Sequence, residues 1–217
     1  MIADHFGNLG GERMGITQRR EREREEVRRK ILDAAHEVFM REGYENVTMR
    51  RVAEAIEYSP TTIYNHFEDK DDLVLALCNE DFARLLGALS AQALPVDPVE
   101  QIRQLGLAYC RFGLAHPNHY RFMFMTNKFD HVLDAESPGW KSFGLLRSAV
   151  ARAIETGHFI AGDVDAIAQV LWASIHGAVA LLVTYKPEQF PCAPAVPDLV
   201  EQTVENGIRG FLARRES

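Results

Sequence analysis

The sequence has few cysteines, and their placement excludes two classes of site. Cys78, Cys110 and Cys192 are the three cysteines of the 217-residue chain, and no CxxC pair occurs. A disulfide framework needs an even set of cysteines, and a thiolate zinc site needs closely spaced pairs. The cysteine content is therefore typical of a protein kept in a reducing compartment, and we expect a cytoplasmic location.

The N-terminus lacks the apolar stretch of a secretory signal. The opening residues, MIADHFGNLGGERMGIT, contain glycine and show no periodic pattern. Residues 1–17 are predicted to form a flexible tail, and Met14 is an alternative start of translation to Met1.

Long apolar runs are also scarce. Only residues 164–185 are long enough to span a bilayer, since about 20 apolar residues are needed. This segment contains Asp165, Gln169 and His176, which are costly in hydrocarbon. A buried helix of a bundle or dimer explains it better than a membrane span.

An excess of positive charge is absent. The formal net charge is −7, and residues 17–72 contain eleven Lys or Arg against fourteen Asp or Glu. A basic domain is the usual footprint of nucleic-acid binding. Composition alone therefore does not indicate such a partner.

The pattern is helical nearly throughout, with no convincing strand and no internal repeat. Val27, Ile31, Ala34 and Val38 recur on one helix face, and Gly43 is placed to end that helix. The sequence predicts an all-α fold of about nine helices, three in the first third and a bundle after them. Starts of later helices are marked by residues suited to N-caps or first turns: Asp69, Asp97, Pro117, Ser137 and Asp163. The last helix is expected to run from about Pro197 to Arg214.

Two short helices in the first third have the layout of a helix-turn-helix module. Thr48 is placed to cap MRRVAEAI, and Ser59 with Pro60 begins a second short helix. A tight turn joins the two, and they lean on a longer first helix. In such a module the second helix, the recognition helix, enters the major groove of DNA with its N-terminal residues toward base edges.

The predicted recognition helix presents neutral polar groups rather than arginines. Hydroxyls bond phosphates or base edges, Asn pairs with adenine, and Thr methyls suit the thymine methyl. Ile63 and Phe67 are expected to anchor the helix to the core. Taken singly, Tyr64 or His66 is explained equally well by packing, so the prediction depends on the ordered set. The predicted DNA-binding residues are Thr48, Arg50, Ser59, Pro60, Thr61, Thr62, Tyr64, Asn65, His66 and Lys70.

The run REREREEVRRK, residues 20–30, leaves two interpretations open. Its intermixed acids suit a solvated helix face with i,i+4 ion pairs. Its arginines nearest the N-terminus equally suit phosphate contact. The acids after Phe67 lie at a helix start, where they complement the macrodipole, and are expected to point away from DNA.

The N-terminal residues resemble the TetR family of bacterial transcriptional regulators. The resemblance covers about residues 27–77 and is carried by TMRRVA at 48–53, SPTTIYNHF at 59–67, Lys70 and Leu73. It implies a helix-turn-helix DNA-binding domain over residues 18–72 and a helical regulatory domain over 73–217.

The turn between the two short helices departs from the family pattern. Glu57 and Tyr58 stand where the family usually has Gly-Val. A positive φ costs Glu more than Gly, so the turn geometry is expected to be shifted.

The C-terminal two-thirds resembles the WHG-type regulatory domain of a subset of the same family. Trp172, His176 and Gly177, with HPNHYRFMF at 116–124, carry this resemblance. It implies a dimer interface formed by the last two helices, residues 163–214, and an effector site among the middle helices. Each aromatic residue is individually more often core than ligand contact. The candidate ligand-binding residues are Tyr109, Phe112, Phe122, Met125, Phe129, Trp140, Trp172 and His176.

A metal site is not expected. His116 and His119 have HxxH spacing, and Asp130 and His131 lie nearby in sequence. Two ligands on one helix still need a third and a fourth donor, so the pattern is weak.

The sequence thus predicts a DNA-binding transcriptional regulator with no cofactor. The favoured form is a homodimeric repressor that binds a palindromic operator in double-stranded DNA and is released by an unknown small molecule. Activation in place of repression stays open. The alternatives are a helical protein-interaction module and a bundle enzyme, although no nucleophile–base pair has convincing spacing.

Overall fold

The computed structural model describes residues 9–43, 46–92, 97–125, 134–185, 189 and 196–213, and all statements below concern these residues. They form nine α helices and no strand, which confirms the all-α prediction. The chain divides into two compact units, Met1–Leu77 (unit 1) and Cys78–Ser217 (unit 2). The helices are α1 (Leu9–Glu42), α2 (Met49–Ala55), α3 (Pro60–Tyr64), α4 (Lys70–Ser90), α5 (Pro98–Ala115), α6 (Pro117–Met125), α7 (Pro138–Glu155), α8 (Val164–Thr184) and α9 (Val196–Arg209).

In unit 1, α1 supplies the apolar stripe on which the short helices pack. Its buried face carries Ile31, Ala35 and Val38, and α2 adds Val52 while α3 adds Ile63. The three residues of α1 recur at helical spacing, as predicted, because residues three and four apart in a helix lie on one face.

The first helix starts earlier than expected. It begins at Leu9, so helical structure extends into part of the segment predicted as a flexible tail. The i,i+4 ion pairs Arg19–Glu23, at 2.8 Å, and Arg29–Asp33, at 3.2 Å, support this solvated stretch. The functional boundary after residue 72 stays a prediction, and the division between the units falls after Leu77.

The predicted helix ends are largely confirmed in unit 1. Gly43 has φ 84° and follows α1, with its N–H donating to Phe39 O at 2.8 Å. Thr48 Oγ1 accepts from Arg51 N, and Ser59 Oγ accepts from Thr62 N. These caps satisfy backbone donors that a helix start leaves unpaired.

In unit 2, α5 lies at the centre and packs against α7, α8 and α9. Asp97, Ser137 and Asp163 cap α5, α7 and α8 as predicted. Arg103 of α5 forms an ion pair with Glu205 of α9, which lowers the pKa of that carboxyl.

The most apolar described helix is α8. By length and composition alone it is able to cross a membrane, although core helices pass the same test. Residues such as Ile167, Leu171 and Val179 are buried in the core of unit 2. This supports its assignment as a bundle helix.

The predicted end of α9 at Arg214 is wrong. The helix ends at Arg209, because the next residues pair with the segment after α7. Phe211 O accepts from Ile160 N, and Ala213 N donates to His158 O, each at 2.9 Å. This long-range pairing forms an isolated bridge and competes with further helix.

Candidate nucleic-acid interface and effector site

The predicted recognition helix α3 is anchored by two apolar side chains and exposes its polar ones. Ile63 and Phe67 are buried, which confirms the predicted anchors. Pro60, Thr61, Tyr64 and Asn65 are exposed, and Thr62 and His66 are half-buried. A single helical turn therefore presents hydroxyl and amide groups outward from a fixed base.

The N-terminus of α3 is fixed by its own hydroxyls. Ser59 Oγ lies 3.0 Å from Thr62 Oγ1 as well as accepting from Thr62 N. Pro60 at the first helical position has no N–H to satisfy. The hydroxyl pair orders the end of α3 that would face base edges.

His66 is held neutral. Its Nδ1 is buried and has no hydrogen-bond partner among the described residues. Burial lowers its pKa, and the charges of Arg24 and Arg28 lower it further. Arg28 also places its guanidinium 4.7 Å from the ring centroid of Phe67. The cationic groups near the end of α3 therefore come from α1, which sequence reasoning did not foresee.

The turn before α3 contains a residue with a left-handed backbone conformation, at the position where the sequence departs from the family pattern. Glu57 has φ 58° and is the only described non-glycine residue with positive φ. Tyr58 N donates to Ala53 O at 3.0 Å, and Glu57 N donates to Glu54 O at 3.3 Å. This pair of bonds is a Schellman ending, in which the left-handed residue is usually Gly. The α2 carbonyls are satisfied although Glu occupies this position.

The cationic residues of α2 differ in what they contact. Arg50 is exposed and pairs with Glu54 at 3.0 Å, on the same helix. Arg51 donates to Glu42 at 2.8 Å and thereby ties α2 to α1. Hydrogen bonds from Arg51 and Arg41 lower the pKa of Glu42 to about 2. Arg50 is thus the less constrained of the two, and its place in the predicted DNA-binding set stays a prediction.

In unit 2, three predicted effector residues meet in one hydrogen-bonded network. Tyr109 Oη lies 3.0 Å from His176 Nδ1 and accepts from Trp172 Nε1 at 3.3 Å. Tyr120 Oη lies 2.6 Å from the same His176 nitrogen and 3.2 Å from Tyr109 Oη. Sequence reasoning missed Tyr120, although it stands in the HPNHYRFMF motif.

Burial sets the protonation of this network. It raises the pKa of both Tyr109 and Tyr120 and lowers that of His176, so all three are neutral near pH 7. Phe124 packs against the network, with ring centroids 4.9 Å from Tyr120 and 5.0 Å from His176. The site favours uncharged groups.

The other predicted effector residues that the structure describes differ in their burial. Phe112 is buried against the His116 ring at 5.1 Å, and Phe122 is buried. Met125 and Trp140 are exposed by 40% and 46%, although Trp140 reaches toward Trp172 through Phe143. Phe129 lies outside the described residues.

The histidines of α6 lie near one another, and one of them lies beside a carboxylate. His119 Nδ1 lies 2.8 Å from Asp81 Oδ1, and the rings of His116 and His119 are 5.7 Å apart. Asp130 and His131 lie outside the described residues. What the structure shows at His119 is a histidine–carboxylate pair.

The cysteines within the described part of the chain are unreactive. Cys78 and Cys110 are buried and free. Burial raises the pKa of Cys78 to about 12 and that of Cys110 to about 11. Both thiols stay protonated, and the thiolate is the nucleophile and metal ligand.

The outer face of α8 is apolar and exposed. Val170 and Leu181 are exposed by 52% and 51%, and Ala173 and Ser174 lie between them. Small residues of this kind allow another helix to approach closely. This face has the composition of an interface rather than of a solvated surface.

Two family models match the chain in the order of its two units. Residues 31–77 match the model described as bacterial regulatory proteins of the tetR family. Residues 102–206 match the tetracyclin repressor-like C-terminal domain, so more than half of the chain is covered. The chain belongs to the TetR family.

Relatives of this TetR-family chain are transcriptional regulators rather than enzymes. The repressor AcnR of Corynebacterium diphtheriae is 35% identical over 96 residues, which are 44% of each chain. The repressor Rv1474c of Mycobacterium tuberculosis is 43% identical over 67 residues, 31% of this chain and 36% of that protein. The chain thus spans less than half of the length of these curated relatives.

Among solved structures, a Rhodococcus protein of unknown function has a TM-score of 0.73 at 25% identity. The alignment covers 86% of this chain and 95% of that one. It extends the likeness from the helix-turn-helix module to the regulatory helices.

Proposed function

We propose that this TetR-family protein is a DNA-binding transcriptional repressor whose recognition helix is α3. The observation that carries the proposal is the division of α3 into buried anchors, Ile63 and Phe67, and exposed Thr61, Tyr64 and Asn65. A helix turned outward in this way suits the major groove. The names of two similar proteins, both transcriptional repressors, support the direction of regulation.

The contacts divide into those that choose sequence and those that grip the backbone. Thr61, Thr62 and Asn65 carry groups that distinguish base edges. Tyr64, Arg50, Thr48 and Lys70 are assigned to phosphates, which position the protein without carrying sequence information. Ser59 and His66 are assigned to sequence choice with the first group. Sequence choice therefore depends on neutral groups.

The functional form that we propose is a homodimer through α8 and α9. The exposed apolar face around Val170 and Leu181 supports it, because a second copy would remove this surface from water. A two-fold dimer matches a palindromic operator with half-sites about 34–36 Å apart or somewhat more. DNA as the target implies a cytoplasmic location.

Release by a small molecule is assigned to the network of Tyr109, Tyr120, Trp172 and His176. These side chains connect α5, α6 and α8, so a ligand that replaces their hydrogen bonds would shift these helices. By linkage, a ligand that weakens DNA binding is itself bound more weakly by the DNA complex.

A salt-titrated binding assay tests the proposal. The full chain is used to select duplexes from a random-sequence pool, and affinity for the selected duplex is measured as salt increases. The proposal expects steeply salt-dependent binding. It also expects Asn65→Ala to change the selected sequence, while Asn118→Ala, the same substitution at an exposed position of α6, does not. Absence of salt-sensitive duplex binding at low ionic strength would contradict it.

A further inference from the structure

The arginines at the start of α1 fall into two groups. Arg19 and Arg29 form i,i+4 ion pairs with Glu23 and Asp33. Arg20 and Arg24 have no ion pair with any residue that the structure describes, although both are exposed. The two interpretations of this run left open by the sequence thus apply to different residues.

The second group is aligned with the core of unit 1. Arg20, Arg24 and Arg28 are four residues apart, so they stack on one face of α1. Seven residues after Arg24 on the same face comes Ile31, which is buried. The three arginines therefore lie on the same face of α1 as its buried apolar residues, on the N-terminal side of them.

The row starts beside the recognition helix. Arg28 lies over the Phe67 ring at 4.7 Å, and the charges of Arg24 and Arg28 act on His66. The charge of Glu25 raises the pKa of His66, but its effect is smaller than that of either arginine. The two arginines nearest α3 thus place positive charge beside its C-terminal end.

The length of the row matches a nucleic-acid backbone. Eight residues of α helix span about 12 Å at about 1.5 Å per residue. One strand of duplex DNA rises about 3.4 Å along the duplex axis per phosphate, so a row laid parallel to that axis spans the rise of three or four phosphates. Guanidinium groups bind phosphate oxygens through paired N–H donors.

We propose that Arg20, Arg24 and Arg28 form a second DNA contact that grips phosphates flanking the half-site bound by α3. This inference rests on the proposed function, since it needs α3 in the groove. The occupant is duplex DNA, because the row is cationic, starts beside the recognition helix and leaves the acid-paired arginines on other faces. The contact adds affinity without adding sequence preference.

The test uses the full chain and the selected duplex in two lengths. One duplex ends at the half-sites, and the other continues for about one further helical turn, roughly 10 base pairs, on each side. For Arg20→Gln with Arg24→Gln, we expect weaker binding to the long duplex only. Its slope of log affinity against log salt should fall by about 0.9 for each lost phosphate contact, or about 1.8 for each subunit.

A matched variant separates this contact from a general effect of charge. Arg19→Gln with Arg22→Gln removes the same charge from other faces of α1 and should leave the slope on the long duplex close to that of the wild type. Equal slopes for the two double variants, or loss on both duplex lengths, would overturn the inference alone. A wild-type chain that binds no duplex would overturn the proposed function as well. Circular dichroism checks that the variants keep their helix content.

Discussion

Tyr64 in unit 1 and Tyr120 in unit 2 are the same side chain in opposite settings. Tyr64 is 55% exposed on α3, whereas Tyr120 is fully buried and its hydroxyl lies within hydrogen-bonding distance of Tyr109 and His176. An exposed hydroxyl is satisfied by water and remains available to a partner. A buried one must find its partners within the protein.

The contrast extends to the two sites as wholes. The polar groups of α3 are fixed by their backbone and directed outward, so substitutions there should change binding more than stability. The polar groups of the unit 2 network bond one another across three helices, so substitutions there should change stability first. The predictions below test this difference.

The largest effect is expected for Tyr120→Ala. Removing a buried aromatic ring leaves a cavity, which costs about 3–5 kcal/mol of unfolding free energy. Both tryptophans, Trp140 and Trp172, lie in unit 2, so their fluorescence during urea unfolding reports on that unit. Tyr64→Ala should change the free energy by less than about 0.5 kcal/mol. Equal losses of unfolding free energy in Tyr120→Ala and Tyr64→Ala would contradict the proposed difference between the two sites.

A smaller effect is expected for Tyr109→Phe. It keeps the ring but takes the acceptor from Trp172 Nε1, which lies 3.3 Å away. A buried donor left without a partner costs about 1–3 kcal/mol. The same fluorescence measurement applies, with Tyr64→Phe as the control. A neutral result for Tyr109→Phe would show that water replaces the lost hydroxyl.

The stability of unit 2 should also depend on pH through His176. Burial lowers its pKa in the folded protein, so the unfolded chain binds a proton more readily. The contribution is therefore complete above the ordinary value of about 6.5 and is lost as pH falls from there through the lower folded value. Unfolding midpoints measured between pH 8 and pH 5 should fall with pH, and His176→Gln should flatten this part of the profile. An unchanged profile in His176→Gln would assign the dependence to other groups.

The smallest effect compares the helix ends of the two units. Gly157 ends α7 with φ 72° and the same Schellman bonds that Glu57 makes after α2. Glu57→Gly should relieve left-handed strain of about 1 kcal/mol, offset in part by the entropy of Gly, for a net gain of about 0.5 kcal/mol. Slower hydrogen exchange of α2 amides would show it. Gly157→Ala should do the reverse in α7, and no change in either would mean that the left-handed conformation carries little strain.

Local signals made most of the fold predictable. N-caps such as Thr48, Ser59 and Asp97 and the glycines at 43 and 157 act within a few residues, so their effects can be recognised in the sequence. The end of α9 was missed because it depends on pairing with residues about fifty positions earlier.

A candidate site within one helix was predictable from the sequence, whereas a site assembled from several helices was predictable only in part. The exposed face of α3 follows from helical spacing around Ile63 and Phe67. The network needs Tyr109, Tyr120 and His176 from three helices, and only their tertiary packing shows that Tyr120 belongs with the other two. The tie between Arg51 and Glu42 is likewise a contact between helices with no local signal.

The neutral face of α3 separates two properties of the proposed repressor. Added salt would screen the proposed phosphate contacts and lower the occupancy of every site, but it would weaken the proposed hydrogen bonds from Thr61 and Asn65 to base edges far less. When the ionic strength of the cell rises, the order in which operators are filled should therefore persist while the fraction filled declines. Such a regulator keeps its choice of genes under osmotic stress and changes only the strength of their control.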